Sequence, residues 1–182
     1  MTKANSVSSK GQNVDLREYL IGGFVEQHAE FDEKKFLANR HPPMFLVYSV
    51  FLRYFKNVYR LFEGDLVMAL VLSEIWSYNM ARFFSRAGFR LAADVLNDAE
   101  KRRRLLPGCN AYSISQVLGV PSETVRRKVH KLEQEGWIER NHEGGLIATL
   151  KLEEMFTPSL TLHDLRHFVG TARVLSTLLE DD

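Results

Sequence analysis

The sequence predicts a mostly α-helical protein with one small β-hairpin in its second half. Helical patterns recur along most of the 182 residues, whereas "WIERN" and "LIATLKL" are short β-rich runs joined by the turn "HEGG". The chain is 45% hydrophobic, which is enough for one or two small domains with cores of their own. The expected order is a helical N-terminal region, a unit containing the hairpin, and a C-terminal helix.

The N-terminal region is predicted to be helical after a polar start. Residues 1–14 are polar and lack the apolar core of a secretory signal, so no signal is expected there. This polar start is interpreted as a disordered tail. Residues 15–64 form the helical region, in which "HPP" at 41–43 opens a long helix that ends near Phe62. This helix is rich in aromatic residues. It is a candidate dimer interface or ligand-pocket wall, and burial in a monomer core is the alternative.

Residues 65–157 are predicted to form the unit that contains the hairpin. Asp65 is a good N-cap for a first helix from Leu66 to Phe84. A short helix, a tight turn, a second helix and the hairpin follow, which is the element order of a winged helix-turn-helix. Residues 158–182 supply one more amphipathic helix, which is the second candidate for a dimer interface.

Capping residues predict the bounds of the two short helices. The first is expected to be capped near Ser113 and to stop at Gly119, the usual left-handed end of a helix. The second is expected to begin at Ser122 as its N-cap and to stop at Gly136.

The second of these helices carries the candidate DNA-binding residues. Val125, Val129 and Leu132 lie on one face at i, i+4 and i+7, and must belong to the core. The other faces offer polar and charged groups near the helix N-terminus, where recognition helices contact bases in the major groove. The candidates are Ser122, Glu123, Thr124, Arg126, Arg127, Lys128, His130 and Lys131.

Different roles are predicted for these side chains. Glu123, Thr124 and Arg127 are expected to read base edges, because an arginine fork grips guanine and a carboxylate accepts from the cytosine amino group. The alternative is that Glu123 and Arg127 form an ordinary ion pair at i, i+4. The flanking cations are expected to neutralise phosphates: Arg126, Lys128 and Lys131.

The distribution of charge favours a nucleic-acid partner. The whole chain has a net charge of +1, but Lys101 to Lys131 holds eight basic residues and one acidic residue, a local +7. The run from Lys101 to Arg104 is expected to contact the DNA backbone, with a solvated helix end as the alternative. His142 at the hairpin tip is expected either to enter a minor groove or to belong to an ordinary turn.

The stretch "SISQVLGVPSETVRRKVHKLEQEGWI" resembles the helix-turn-helix of bacterial winged-helix transcription regulators. It is closest to the Crp/Fnr type and similar to the GntR, MarR and IclR types. The Crp-like pattern implies base reading by Glu123 and Arg127, and the GntR-like pattern implies DNA contacts by Thr124 and Arg126. Ser122 stands where Crp-like proteins usually have arginine. No run of strands precedes this segment, so the resemblance does not extend to a cyclic-nucleotide domain.

The sequence contains two other candidate sites, a histidine pair and a single cysteine. His163 and His167 are spaced i, i+4, as in some zinc sites, but the sequence offers no third ligand, so neither metal nor cofactor is expected. The single cysteine, Cys109, follows "PG" beside a basic run that could lower its pKa. A plain loop cysteine is nevertheless favoured over a redox role, because the sequence offers no second cysteine as a resolving partner. No phosphate loop, catalytic carboxylate pair or nucleophile motif occurs, so an enzyme is not expected.

These observations predict a bacterial, cytoplasmic, homodimeric transcription regulator that binds double-stranded DNA. The cytoplasm is expected because one cysteine permits no internal disulfide. No membrane span is expected, since charged residues such as Arg53 and Lys56 interrupt the most apolar stretch. The apolar N-terminal half is a candidate site for a small-molecule effector, although no group of polar residues there identifies its chemistry. The alternative function is a winged-helix module that binds proteins and never DNA.

Overall fold

The computed structural model describes residues 32–87, 92–156 and 162–179. The predicted tail at 1–14 and the first part of the predicted helical region, residues 15–31, lie outside the described residues. In chain order the described elements are α1 (Glu33–Ala38), α2 (His41–Leu61), α3 (Leu66–Ala87), α4 (Ala92–Leu96), α5 (Ala99–Leu105), α6 (Ala111–Leu118), α7 (Ser122–Gln134), β1 (Ile138–Arg140), β2 (Leu146–Ala148), α8 (Leu150–Phe156) and α9 (Leu162–Leu179).

The centre of the fold is α3, which packs against α6, α7 and β2. Its apolar residues repeat at helical spacing and their side chains are almost fully buried, Val71 and Ile75 at 0% exposure. The three predicted core residues of α7 meet them from the other side, and all are buried: Val125, Val129 and Leu132. Burial of these apolar side chains of α3 and α7 is the main contribution that holds α7 in place.

The hairpin is the wing of the fold. Strands β1 and β2 are antiparallel, with Ile138 opposite Ala148 and Arg140 opposite Leu146. Cys109 adds an antiparallel bridge to Leu146, so the wing is tied to the segment just before α6. A mostly helical chain with this two-stranded hairpin after its helices confirms the predicted fold class, a winged helix-turn-helix.

Asn79 connects α3 to the wing through three hydrogen bonds. Its side chain is fully buried; Nδ2 donates to Pro107 O at 2.8 Å and to Leu146 O at 3.1 Å, while Oδ1 accepts from Ala148 N at 3.0 Å. Because every polar atom of the amide has a partner, its burial is tolerated and fixes the position of β2 on α3.

Some predicted helix starts are wrong. The N-cap of α6 is Asn110, whose Oδ1 accepts from Ser113 N at 2.9 Å, so Ser113 lies in the first turn. Ser122 is the first residue of α7 rather than its cap, and the cap position holds Pro121, which makes no side-chain cap bond. The predicted stops are confirmed, since Gly119 and Gly136 have positive φ angles of 63° and 73°.

The predicted β-rich run "LIATLKL" is only partly extended. Leu146–Ala148 is the strand β2, but Leu150–Phe156 is the helix α8. The alternation of Leu150 and Leu152 was too short to distinguish a strand from the first turn of a helix. Leu152 enters the core from α8.

Two long helices complete the described structure. The end of α2 joins the winged-helix core through Val58 and Phe62, which are buried. The helix α9 packs along α2, where Asn57 Nδ2 donates to Asp164 Oδ2 at 3.5 Å. Within the ranges that the structure describes, no helix is both long enough and apolar enough to cross a membrane.

Candidate nucleic-acid interface

The outer face of α7 carries the predicted base-reading residues. Glu123 and Arg126 form an ion pair, with Oε2 and Nη1 3.7 Å apart and both side chains 73% exposed. The predicted alternative pair was Glu123 with Arg127, but the structure pairs Glu123 with Arg126 at i, i+3. An exposed pair of this kind is worth little and is readily exchanged for a phosphate or a base.

Arg127 and His130 are exposed on the same face, one turn further along. Among the described residues, the Arg127 guanidinium has neither an ion-pair nor a hydrogen-bond partner. Its five N–H donors therefore face solvent, and no internal contact has to break before they bind an acceptor.

Lys128 differs from its neighbours because it is engaged with α3. Its Nζ lies 2.5 Å from Asp65 Oδ2, and the two side chains are only 25% and 21% exposed. Asp65 Oδ1 accepts from Met68 N at 3.0 Å, which is the predicted N-cap contact of α3. Burial alone would raise the pKa of Asp65, but the hydrogen bonds from Lys128 and Met68 outweigh it and lower that pKa.

The remaining candidates on α7 lie around this face. Lys131 is half exposed and its Nζ is 3.6 Å from Glu135 Oε1. Ser122 is exposed at the start of the helix, and Thr124 is half-buried. Together with Glu123, Arg126 and Arg127, these residues present hydroxyl, carboxylate, guanidinium and ammonium groups on the first three turns of α7.

His142 lies in the turn of the wing, against α5. Its Nε2 is 3.1 Å from Glu100 Oε1, and its backbone N donates to Arg103 O at 3.1 Å. The imidazole is still about half exposed. The turn is shaped by Asn141, whose Oδ1 accepts from Gly145 N at 2.8 Å and whose Nδ2 donates to Leu106 O at 3.0 Å.

Only part of the basic run Lys101 to Arg104 is exposed for the contact with the DNA backbone that the sequence predicted. Arg102 is 5% exposed, with Nη2 3.7 Å from Glu139 Oε1, and Arg103 Nε is 2.8 Å from Glu139 Oε2. The hydrogen bond that Arg103 donates to Glu139 raises the pKa of Arg103. Half of the run thus fastens α5 to β1, and the local +7 overstates the charge available to a polyanion.

Cys109 is a structural residue. Its thiol is buried, and burial raises its pKa to about 12, so the lowered pKa that the redox alternative required is not present. The backbone of Cys109 pairs with Leu146, which explains why the residue sits inside the wing sheet rather than at a surface.

Only one side chain of the predicted histidine pair on α9 belongs to the described residues. His167 is exposed, and the side chain of His163 lies outside the described residues. No group of three or more histidine, cysteine or acidic side chains that could hold a metal ion occurs in the part of the chain that the structure describes.

Sequence reasoning missed the contacts that position the interface. Asp65 was predicted as a cap but not as the partner of Lys128, and neither Asn79 nor Glu139 was singled out. Their partners are distant in the sequence: 63 residues separate Asp65 from Lys128, and 69 separate Asn79 from Ala148. No local spacing signals such a pair.

Comparison with known proteins agrees with this geometry. Residues 109–150 match the DeoR-like helix-turn-helix domain. This segment runs from Cys109 through α6, α7 and the wing, and covers under a quarter of the chain. No curated protein and no solved structure matches the chain. The chain is thus similar over this segment to a DeoR-like helix-turn-helix domain, which supports a DNA-binding, winged helix-turn-helix transcription regulator in general and not the Crp/Fnr type in particular.

Proposed function

We propose that this protein is a sequence-specific regulator that reads the major groove of double-stranded DNA with α7. The observation that carries the proposal is the free outer face of α7, where Arg127 is exposed and has no partner among the described residues. The opposite face of the same helix is fixed in the core by Val125, Val129 and Leu132. A rigid helix that holds out an unpaired guanidinium is pre-organised to bind a base edge.

Each side chain has a role in this proposal. Arg127 donates to guanine O6 and N7, and Glu123 accepts from a cytosine amino group, with Ser122, Thr124 and His130 close enough on the helix to contribute. Arg126 releases Glu123 and moves to a phosphate, and Lys131 contacts the backbone one turn later.

Lys128 and His142 have less freedom. The first role of Lys128 is to hold α7 against α3, and a phosphate contact would have to share its ammonium with Asp65. His142 reaches a DNA groove only if the wing approaches it on the side of α5, where Glu100 already engages the imidazole.

The proposed regulator is a dimer in which different parts of the chain bind DNA and join the two copies. Residues 65–157 form the DNA-binding unit, and residues 15–64 and 158–182 provide contacts between two copies, since winged regulators generally read two half-sites as a symmetric dimer. The cytosolic location expected from the single cysteine and the non-enzymatic character belong to the same proposal. They rest on the similarity to a DNA-binding domain and on the sequence.

A salt titration separates this function from a winged-helix module that binds proteins. The full chain is titrated onto a labelled duplex of mixed sequence at several salt concentrations, alongside Arg126→Ala. DNA binding predicts that affinity falls steeply with salt, and that Arg126→Ala reduces the slope of log K against log salt by about one. Absent or salt-independent binding would favour the protein-binding module and contradict the proposal.

A further inference from the structure

Five large apolar side chains of α2 form an exposed stripe. They are Phe45, Tyr48, Leu52, Phe55 and Tyr59, and each is between 52% and 70% exposed. Their spacings alternate between three and four residues. A mean repeat of 3.5 residues is the one with which a helix buries a continuous seam against another helix. These five residues are called the α2 stripe below.

The rest of the described chain leaves the α2 stripe open. The last part of α2 contacts the winged-helix core through Val58 and Phe62, and on a different side it contacts α9 through Asn57 and Asp164. Asn57 follows Leu52 by five residues, which places it roughly 140° around the helix from the centre of the stripe. The helix α9 therefore packs on another side of α2.

The exposed apolar area is that of an interface. Besides the stripe, Met44 and Phe51 flank it on the same side of α2 and are 40% and 52% exposed. A half-exposed aromatic side chain presents roughly 100 Å². The seven residues together then offer on the order of 700 Å², close to the roughly 800 Å² that one partner contributes to a stable protein–protein interface. Apolar patches on proteins that remain monomeric are generally about 300–600 Å².

We propose that the α2 stripe is covered by the α2 stripe of a second copy, with the two helices antiparallel. Such an isologous contact buries the same residues on both copies and closes the assembly as a dimer. This inference deepens the proposed function by naming the surface that joins two winged helices. The contact itself does not depend on DNA binding; only its role, which is to hold two copies of α7 on one DNA site, rests on the proposed function.

Charge decides the direction of the pair. Arg53, Lys56 and Arg60 all lie in the second half of α2, and α2 contains no acidic residue. In a parallel pair, each of these cations would lie beside the same cation of the partner helix, and the two like charges would repel each other. An antiparallel pair places them beside the uncharged first half of the partner helix.

The oligomeric state of the full chain without DNA tests the interface. Sedimentation equilibrium at micromolar concentration is expected to give twice the 21.0 kDa chain mass for the wild type. Leu52→Glu places two carboxylates in the seam and should weaken the dimer by about 100-fold or more. The matched control is Val117→Glu on α6, which is 67% exposed and far from α2 in the sequence, and it should remain dimeric. Both variants should keep the wild-type circular dichroism spectrum, because both positions are exposed.

The same measurements distinguish a second copy from a lipid surface as the partner of the α2 stripe. A wild type that remains at 21.0 kDa would overturn the proposal, and sedimentation of that monomer with anionic lipid vesicles would assign the stripe to a lipid surface. Equal dimerisation of Leu52→Glu and Val117→Glu would also overturn it. A dimer that fails to bind DNA would instead contradict the proposed function and leave the interface intact.

Cross-linking tests the direction. Phe45→Cys and Tyr59→Cys are treated with a short bismaleimide, separately and as a mixture that has exchanged subunits. The antiparallel pair predicts strong linkage in the mixture and little in either variant alone. Strong linkage in each variant alone would show a parallel pair and overturn the proposed direction. The native Cys109 does not compete, because it is buried.

Discussion

The ammonium of Lys128 in α7 lies 2.5 Å from Asp65 Oδ2 at the start of α3. The other oxygen of the same carboxylate caps α3 by accepting from Met68 N. One side chain thus both starts the central helix and holds the candidate recognition helix on it. The orientation of the outer face of α7 depends on this contact as well as on the apolar core.

Removing the cation should destabilise the fold. Lys128→Met leaves the partly buried Asp65 carboxylate without its counter-ion, and we expect a loss of about 1–2 kcal/mol in the free energy of unfolding, measured with urea at neutral pH. The control is Lys131→Met, whose pair with Glu135 is about half exposed and should change stability by less than about 0.5 kcal/mol. Equal losses in the two variants would show that the Asp65 contact has no special role.

The same pair should make stability depend on acid. Burial raises the pKa of Asp65, but hydrogen bonds from Lys128 and Met68 lower it below the ordinary 3.8, so folding favours the carboxylate. Its contribution is present above that value and is lost as the pH falls through the folded pKa. The free energies of unfolding of wild type and Asp65→Asn should therefore converge between about pH 5 and pH 2. Curves that stay parallel over this range would contradict the assignment.

Asn79 should be among the most sensitive polar positions. Asn79→Ala removes three hydrogen bonds and leaves buried groups of Pro107, Leu146 and Ala148 without partners. We expect a loss of about 2–4 kcal/mol in urea unfolding. The exposed Asn97 provides the matched control, since Asn97→Ala should stay within about 0.5 kcal/mol of wild type. A small effect at Asn79 would mean that the wing is not held by α3 in this way.

Cys109 should resist alkylation in the native protein. Because burial raises the thiol pKa to about 12, almost no thiolate is present at neutral or mildly basic pH. Iodoacetamide at about pH 8 should leave the native chain unmodified by mass spectrometry, whereas the same reagent in urea should label it fully. Rapid labelling without urea would show that the segment before α6 opens to solvent.

The parts of the fold with strong local signals could be predicted. The spacing of Val125, Val129 and Leu132 identified the buried face of α7, and Gly119 and Gly136 identified its neighbouring turns. These signals are local because helical periodicity and left-handed glycine conformations are set by a few adjacent residues.

The contacts that orient the site could not be predicted, because they join distant residues. Arg102 and Arg103 looked like free cations, and only the fold brings Glu139 to them. Likewise, Asn110 and Ser113 are both residue types that cap helices well. Asn110 is the cap because its backbone has the extended conformation of an N-cap residue, and the sequence does not show where that conformation ends. The roles of Glu123, Arg126 and Arg127 on DNA remain predictions of the sequence, to which the structure adds their exposure and pairing.

A selection from genomic DNA tests the central claim, that α7 reads sequence, most directly. Sheared DNA from the source organism is mixed with the full chain at near-physiological salt, and the retained fragments are sequenced for wild type and for Arg127→Ala. The account predicts a shared two-fold symmetric motif for the wild type that is blurred in Arg127→Ala, with a loss of about 1–3 kcal/mol on the selected site. If the fragments bound by the wild type share no motif, or if Arg127→Ala selects the same motif with the same affinity, Arg127 does not read bases and the account is wrong.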